Sequence, residues 1–136
     1  MSEREPGAPL RKGVKTLVAE ARERITTLEL DEAAALLDDP NVLFVDIRDP
    51  RELQRDGTIP GAFRAPRGML EFWVDPESPY CKPELDSGKR LVLYCAGALR
   101  SSLAAAALVD MGVENVAHVE GGYSAWKKAG HPTVEV

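Results

Sequence analysis

The chain has 136 residues, with 17 basic against 22 acidic side chains and a net charge of −5. That length predicts one domain with a core of its own, and the acidic balance argues against nucleic-acid binding, which needs clustered Lys and Arg. No apolar run approaches the roughly 20 residues that cross a bilayer, the polar opening Ser2-Glu3-Arg4-Glu5 is unlike a secretory signal, and two cysteines are too few for a disulfide scaffold, so a cytoplasmic protein without membrane association is expected.

Residues 1–12 carry Pro6, Gly7 and Pro9 among charges and read as a flexible leader. Residues 13–24 read as a separate helix, because Val14, Leu17, Val18, Ala21 and Ile25 follow helical spacing with charges on the other face. That helix either covers the edge of the domain or mediates self-association. The main domain is assigned to residues 25–136. It opens on an extended piece, Ile25-Thr26-Thr27, then a helix from Asp31 to Leu37 that stops at Asp39-Pro40. Val42 to Ile47 is an apolar, β-branched run between Pro40 and Pro50 and reads as a strand, with a helix starting at Asp49-Pro50. Pro66 to Pro83 holds a short helix with Met69, Leu70, Phe72 and Trp73, followed by a proline-stiffened loop. Its aromatics either wall a pocket or pack on the core. Leu91 to Tyr94 and Val116 to Val119 are two more strands, and the helix Leu103 to Val109 between them closes at Gly112. Trp126 belongs to a terminal helix packed on the sheet.

Continuously apolar strands indicate a sheet covered on both faces. Strand, helix and strand at this spacing form a βαβ unit, so the fold class is α/β, with a largely parallel sheet and right-handed crossover. Ligands of such sheets sit beyond the carboxyl ends of the strands, which points to Cys95.

Tyr94-Cys95-Ala96-Gly97-Ala98-Leu99-Arg100-Ser101 runs from a strand end into a helix start. The first N–H groups of a helix have no intrahelical partner. Small residues at 96, 97 and 98 let the backbone curl into an anion-binding nest. The helix dipole and the Arg100 cation favour negative charge at the same spot. Each of these effects favours thiolate over thiol, and the thiolate is the nucleophile. The bland alternative is an inert cysteine packed at a strand end.

The sequence resembles the single-domain rhodanese family from about Ile25 to Gly130. Four segments carry the likeness: Val45-Asp46-Ile47-Arg48-Asp49-Pro50-Arg51-Glu52, Gly57-Thr58-Ile59-Pro60-Gly61-Ala62, the Cys95 to Arg100 loop, and Glu120-Gly121-Gly122-Tyr123-Ser124-Ala125-Trp126. The resemblance implies a three-layer rhodanese-like domain with about five central strands flanked by helices. It also implies a sulfurtransferase that moves sulfur from a donor such as thiosulfate to a thiol or cyanide acceptor through a Cys95 persulfide. Two departures stand out. Thr58 occupies the place of the family's usual His, and Ala96 and Ala98 stand where some thiosulfate-specific members carry basic residues. Cysteine-dependent phosphatases that share this fold use a Cys-x5-Arg loop, whereas Cys95 and Arg100 here form Cys-x4-Arg, a tighter ring suited to one sulfur atom.

The expected site is therefore catalytic Cys95, with Ala96, Gly97, Ala98, Leu99, Arg100 and Arg67 binding substrate and Asp46, Arg48 and Glu52 in support. Arg100 either binds the donor or ties the loop to a carboxylate. Asp46 either accepts hydrogen bonds from loop amides or serves as an N-terminal or turn cap for the Asp49-Pro50 helix. Arg48 and Glu52, four apart, are expected to form an ion pair. Arg67 is either at the pocket mouth or a solvated surface arginine. Cys81, in the proline-rich loop, is a second thiol with no sequence link to Cys95. His118 and His131 show no metal-ligand spacing with the cysteines, and no phosphate-binding glycine motif is present, so neither metal nor cofactor is expected. The partners are then small-molecule donors and acceptors, with a protein sulfur acceptor also compatible. The competing reading is a non-catalytic rhodanese-like module that binds a partner or senses oxidation.

Overall fold

The structure is a computed structural model that describes residues 3–136. Of the leader read at 1–12, Met1 and Ser2 lie outside the described residues, and the rest holds a turn closed by the Ala8 N–H on the Glu5 carbonyl at 3.0 Å.

Ten elements of the α/β domain follow a first helix, α1, over Val14–Arg24. They are β1 Thr26–Leu28, α2 Leu30–Ala35, β2 Val42–Asp46, α3 Pro50–Asp56, β3 Phe63–Arg64, α4 Leu70–Val74, β4 Arg90–Tyr94, α5 Leu99–Asp110, β5 Val116–Val119 and α6 Gly122–Lys128. The five strands pair in the order β1-β5-β4-β2-β3, every pair parallel. β3 has only two residues and no apolar run to announce it; its edge is fixed by the Ala65 N–H donating to the Asp46 carbonyl at 2.9 Å.

Side chains alternate across the sheet as the pleat demands. Leu91, Leu93 and Cys95 face one core with Val45, Leu70, Val74, Ala104 and Leu108, under α4 and α5. Val92 and Tyr94 face the other with Phe44, Tyr123 and Trp126, under α6. Continuous apolarity along β4 thus reflects two buried faces. Trp126 is fully buried and donates its indole N–H to the Pro132 carbonyl at 2.7 Å.

The expected stripe on α1 is buried only at its end. Ala21 is covered, but Val14 and Leu17 are 65% and 42% exposed. α1 packs on α5, tied to its end by Arg24 on Asp110, and Arg22 pairs with Glu120 just past β5, so only its last turns reach the domain. No helix among the described residues is long and apolar enough to cross a membrane.

Candidate active site

β4 ends at Tyr94 and α5 begins at Leu99, so the loop between them stands at the carboxyl edge of the central strand. Cys95 continues the alternation of Leu91 and Leu93 and is 1% exposed. Its lower side meets the apolar core, while its Sγ accepts the backbone N–H of Ser101, in the first turn of α5, at 3.4 Å.

The loop's carbonyls and amides are sorted. Cys95 O accepts from the Tyr123 N–H at 2.8 Å and Ala96 O from the Ser124 N–H at 3.0 Å, so α6 holds two loop carbonyls. Ala98 O is taken by Ser102, through both its N–H at 3.2 Å and its hydroxyl at 2.6 Å. The five consecutive N–H groups from Ala96 to Arg100 have no acceptor among the described residues. Unpaired backbone donors in a row are costly unless a ligand or water takes them, and such a run suits an anion. Ala98, at φ 73°, is the one non-glycine in the left-handed region among the described residues. An alanine there carries strain of order 1 kcal/mol or more, located where the loop turns into the helix.

Glycine is required where α6 meets this loop. Gly122 has φ +65°, and a Cβ on it would lie 2.6 Å from Ala96 O and 2.7 Å from Cys95 O. The Gly121-Gly122 doublet, part of the fourth segment of resemblance, therefore lets α6 approach close enough to donate to those carbonyls.

Arg100 does not stand free above the loop. Its two terminal nitrogens donate to the two oxygens of Glu52, both at 2.8 Å. The hydrogen bonds from Arg100 hold the Glu52 carboxyl down at about 2 against a burial effect of opposite sign. The guanidinium is kept protonated first by Glu52 and, to a smaller degree, by the Cys95 sulfur. Glu52 reaches this position because it sits in the first turn of α3, where its carboxylate also accepts the Asp49 N–H at 3.0 Å in a capping box.

The expected Arg48–Glu52 pair is therefore corrected. Arg48 is buried and pairs with Asp46 instead, Nε to Oδ1 at 3.0 Å and a terminal nitrogen to Oδ2 at 2.8 Å. That nitrogen also donates to Gly57 O at 2.6 Å, and the Tyr123 ring lies 4.1 Å from the guanidinium carbon. Strand register explains the exchange. Asp46 ends β2 opposite Tyr94 on β4, with its side chain on the α6 face, away from the Cys95 core. Asp46 accepts no hydrogen bond from the Cys95 loop. It accepts the Arg48 N–H at 3.1 Å inside the turn and the Thr58 hydroxyl at 2.7 Å, while the helix that starts at Pro50 is capped by Asp49 and not by Asp46. Thr58 also meets Tyr94 OH at 2.7 Å, so the residue in place of the family's His closes a fully buried network.

Arg67 begins just past the strand ends, its N–H on Ile47 O at 3.1 Å, but its guanidinium is held by Glu71 at 2.7 Å. The aromatics divide. Trp73 packs edge-on against Phe63 at 6.3 Å, whereas Phe72 is 52% exposed and edge-on to Tyr80. Cys81 and Cys95 are both free thiols. A hollow of about 330 Å³ beside Ala96 is bordered by Tyr123, Ser124, Lys127 and Lys128. A larger one of about 650 Å³ lies at the opposite end of the sheet, near Leu91 and Asn115. Sequence reasoning assigned no site role to Ser101, Gly122, Tyr94, Tyr123 or His118; of these only the glycine doublet carries a local signal.

The family model described as Rhodanese-like domain matches residues 29–129. A solved structure from Rhodopseudomonas palustris, a protein of unknown function described as a possible tyrosine phosphatase, is 50% identical with a TM-score of 0.91, covering 96% of this chain and 100% of that one. A thiosulfate sulfurtransferase from Pseudomonas aeruginosa is 27% identical at a TM-score of 0.73, covering 90% of this chain and 22% of that one. A polysulfide-sulfur transferase from Wolinella succinogenes is 28% identical at 0.68, covering 90% and 87%. Among curated proteins, an uncharacterized protein of Synechocystis is 39% identical over 94 residues, 69% of this chain and 48% of its own length. The tRNA uridine(34) hydroxylase of Erwinia tasmaniensis is 37% identical over 99 residues, 70% of this chain and 26% of its own. The chain thus spans about half or less of these curated relatives.

Proposed function

The chain belongs to the rhodanese-like domain family, and from that membership we propose that it is a sulfurtransferase that carries sulfane sulfur on Cys95. The observation that carries this reading is the run of five unpartnered amides from Ala96 to Arg100 around a sulfur already held by the Ser101 N–H.

In the first step the Cys95 thiolate attacks the outer sulfur of a donor such as thiosulfate. A bond forms between Sγ and that sulfur, the donor's S–S bond breaks, and sulfite leaves with its electron pair. The product is a Cys95 persulfide anion, whose terminal charge the loop amides and helix dipole stabilise in place of water. In the second step a thiophile, cyanide or a thiol, attacks the terminal sulfur and returns Cys95 to the thiolate. A persulfide is a reversible cap, so the cycle closes. Arg100, clamped by Glu52, braces the loop and places positive charge near the sulfur. With Ala96 and Ala98 in the loop, no basic side chain at those positions adds to thiosulfate binding. A cytoplasmic, thiol-bearing acceptor, small or protein-borne, fits a chain of this composition.

The description of the Rhodopseudomonas relative raises phosphatase chemistry as a competitor. Four residues between Cys95 and Arg100 make a ring narrower than the phosphatase loop, and both terminal nitrogens of Arg100 are committed to Glu52. Neither suits the wrapping of a phosphoryl group. The test is intact mass after incubation with thiosulfate, polysulfide or a persulfide donor. We expect a gain of one sulfur in the wild type and none in Cys95→Ser, with no turnover of p-nitrophenyl phosphate. Unchanged mass with every donor, or ester hydrolysis that needs Cys95, overturns the reading.

A further inference from the structure

Ser101 presents two groups to two different places. Its N–H points at the Cys95 sulfur at 3.4 Å, and its hydroxyl meets His118 Nδ1 at 2.9 Å. The other ring nitrogen of His118 meets the Thr27 hydroxyl at 2.9 Å. The chain Thr27–His118–Ser101–Cys95 therefore crosses from β1 through β5 to the first turn of α5 and ends on the sulfur. Ser101 and His118 are both 0% exposed, while Thr27 is half-buried.

This burial decides the direction of the hydrogen bonds. A neutral imidazole has one donor and one acceptor. Among the described residues the Ser101 hydroxyl has no partner except His118, so its proton finds an acceptor only if Nδ1 carries the lone pair. Nε2 then bears the hydrogen and donates to Thr27, whose own proton is free to reach water. The opposite tautomer strands a buried hydroxyl proton without an acceptor. Burial also holds the ring neutral, so His118 acts by orientation and adds no positive charge near the loop. The charges that act on it are Arg22, which opposes a proton on the ring, and Glu120, which favours one.

A serine inside a helix ordinarily turns its hydroxyl back to the carbonyl four residues earlier. Ser102 does so with Ala98 O. The same bond from Ser101 would pull on Gly97 O, in the middle of the loop, and His118 draws the hydroxyl away from it.

We propose that His118 is a positioning residue for the sulfur-transfer reaction: by fixing the Ser101 hydroxyl it fixes the Ser101 N–H on the Cys95 sulfur and keeps the loop carbonyls turned from the anion. This rests on the sulfurtransferase reading for its role in the reaction, but not for its effect on Cys95.

The test compares His118→Leu, His118→Asn, His118→Gln, Ser101→Ala and the His118→Leu/Ser101→Ala double variant. Two rates are measured at pH 7: sulfur gain at Cys95 from thiosulfate, and alkylation of Cys95 by iodoacetamide, resolved from Cys81 by peptide mass. Loss of the brace should slow both about tenfold in His118→Leu and Ser101→Ala. The double variant should be no slower than either single one, because both remove the same link. Asn places an acceptor where Nδ1 stood and should recover at least half of the lost rate on a logarithmic scale; Gln, which reaches toward Thr27 instead, should not. Nitrogen NMR of the wild type should find Nδ1 unprotonated. Additive single effects, equal Asn and Leu variants, or a proton on Nδ1 overturn the proposal. Ser101→Ala, a small change, keeps the test decisive if His118→Leu does not fold. A wild type that never gains sulfur defeats the sulfurtransferase reading alone, since alkylation still reports on the brace.

Discussion

Glu52 at the start of α3 and Arg100 at the start of α5 are joined by two parallel hydrogen bonds of 2.8 Å although 48 residues separate them. The clasp links the turn after β2 to the loop after β4, two elements that sequence places far apart and the parallel sheet makes neighbours. A planar fork on a carboxylate is a geometry that Lys cannot reproduce.

Glu52→Gln keeps a capping side chain at the helix start and loses the ion pair. We expect the melting temperature to fall by about 3 °C, from about 1 kcal/mol for a partly screened pair. Because the folded carboxyl titrates near 2, below its ordinary 4.5, the pair's contribution is complete above about pH 4.5 and fades as pH falls toward 2. The gap between wild type and variant should be flat from pH 5 to 8 and close in strong acid, which melts across that range will show.

His118 titrates in a separate window. Burial lowers it to about 4 from 6.5, so between those values the unfolded chain binds a proton that the folded chain refuses. Stability should therefore be full above pH 6.5 and decline as pH falls toward 4, by about 2 kcal/mol at pH 4.5. His118→Asn should flatten that limb, read by urea unfolding at pH 7, 5.5 and 4.5.

The Asp46–Arg48 pair is buried and shares its carboxylate with Thr58. Removing one partner strands the other charge, so Asp46→Ala should cost about 3–5 kcal/mol. Thr58→Val leaves the ion pair but deprives Tyr94 OH and Asp46 of a partner, costing about 1–3 kcal/mol. Equal losses in the two variants would contradict this ordering.

Gly122→Ala puts a methyl group 2.6 Å from Ala96 O on a backbone at φ +65°. We expect at least about 2 kcal/mol of destabilisation and loss of sulfur loading, because α6 withdraws from the loop carbonyls. Gly68→Ala, with nothing within 4 Å and no left-handed backbone, should stay within about 0.5 kcal/mol of wild type.

Periodicity and punctuation were enough for the α/β class, the main strands and helices, and the candidate nucleophile. Short apolar runs such as Leu91 to Tyr94, followed closely by a glycine-containing turn, fit strands buried on both faces, and a cysteine at such a strand's carboxyl end before a helix is a candidate nucleophile. These are local properties, set by neighbours a few residues away. What the tertiary structure decided is which charge meets which. Arg48 and Glu52 stand four apart and look like partners, yet the pleat sends Asp46 to the α6 face beside Arg48, and the sheet carries Arg100 to Glu52. His118 looked like any strand residue until α5 set Ser101 against it. Pairing across a parallel sheet joins segments tens of residues apart, so such contacts leave no periodic trace along the chain.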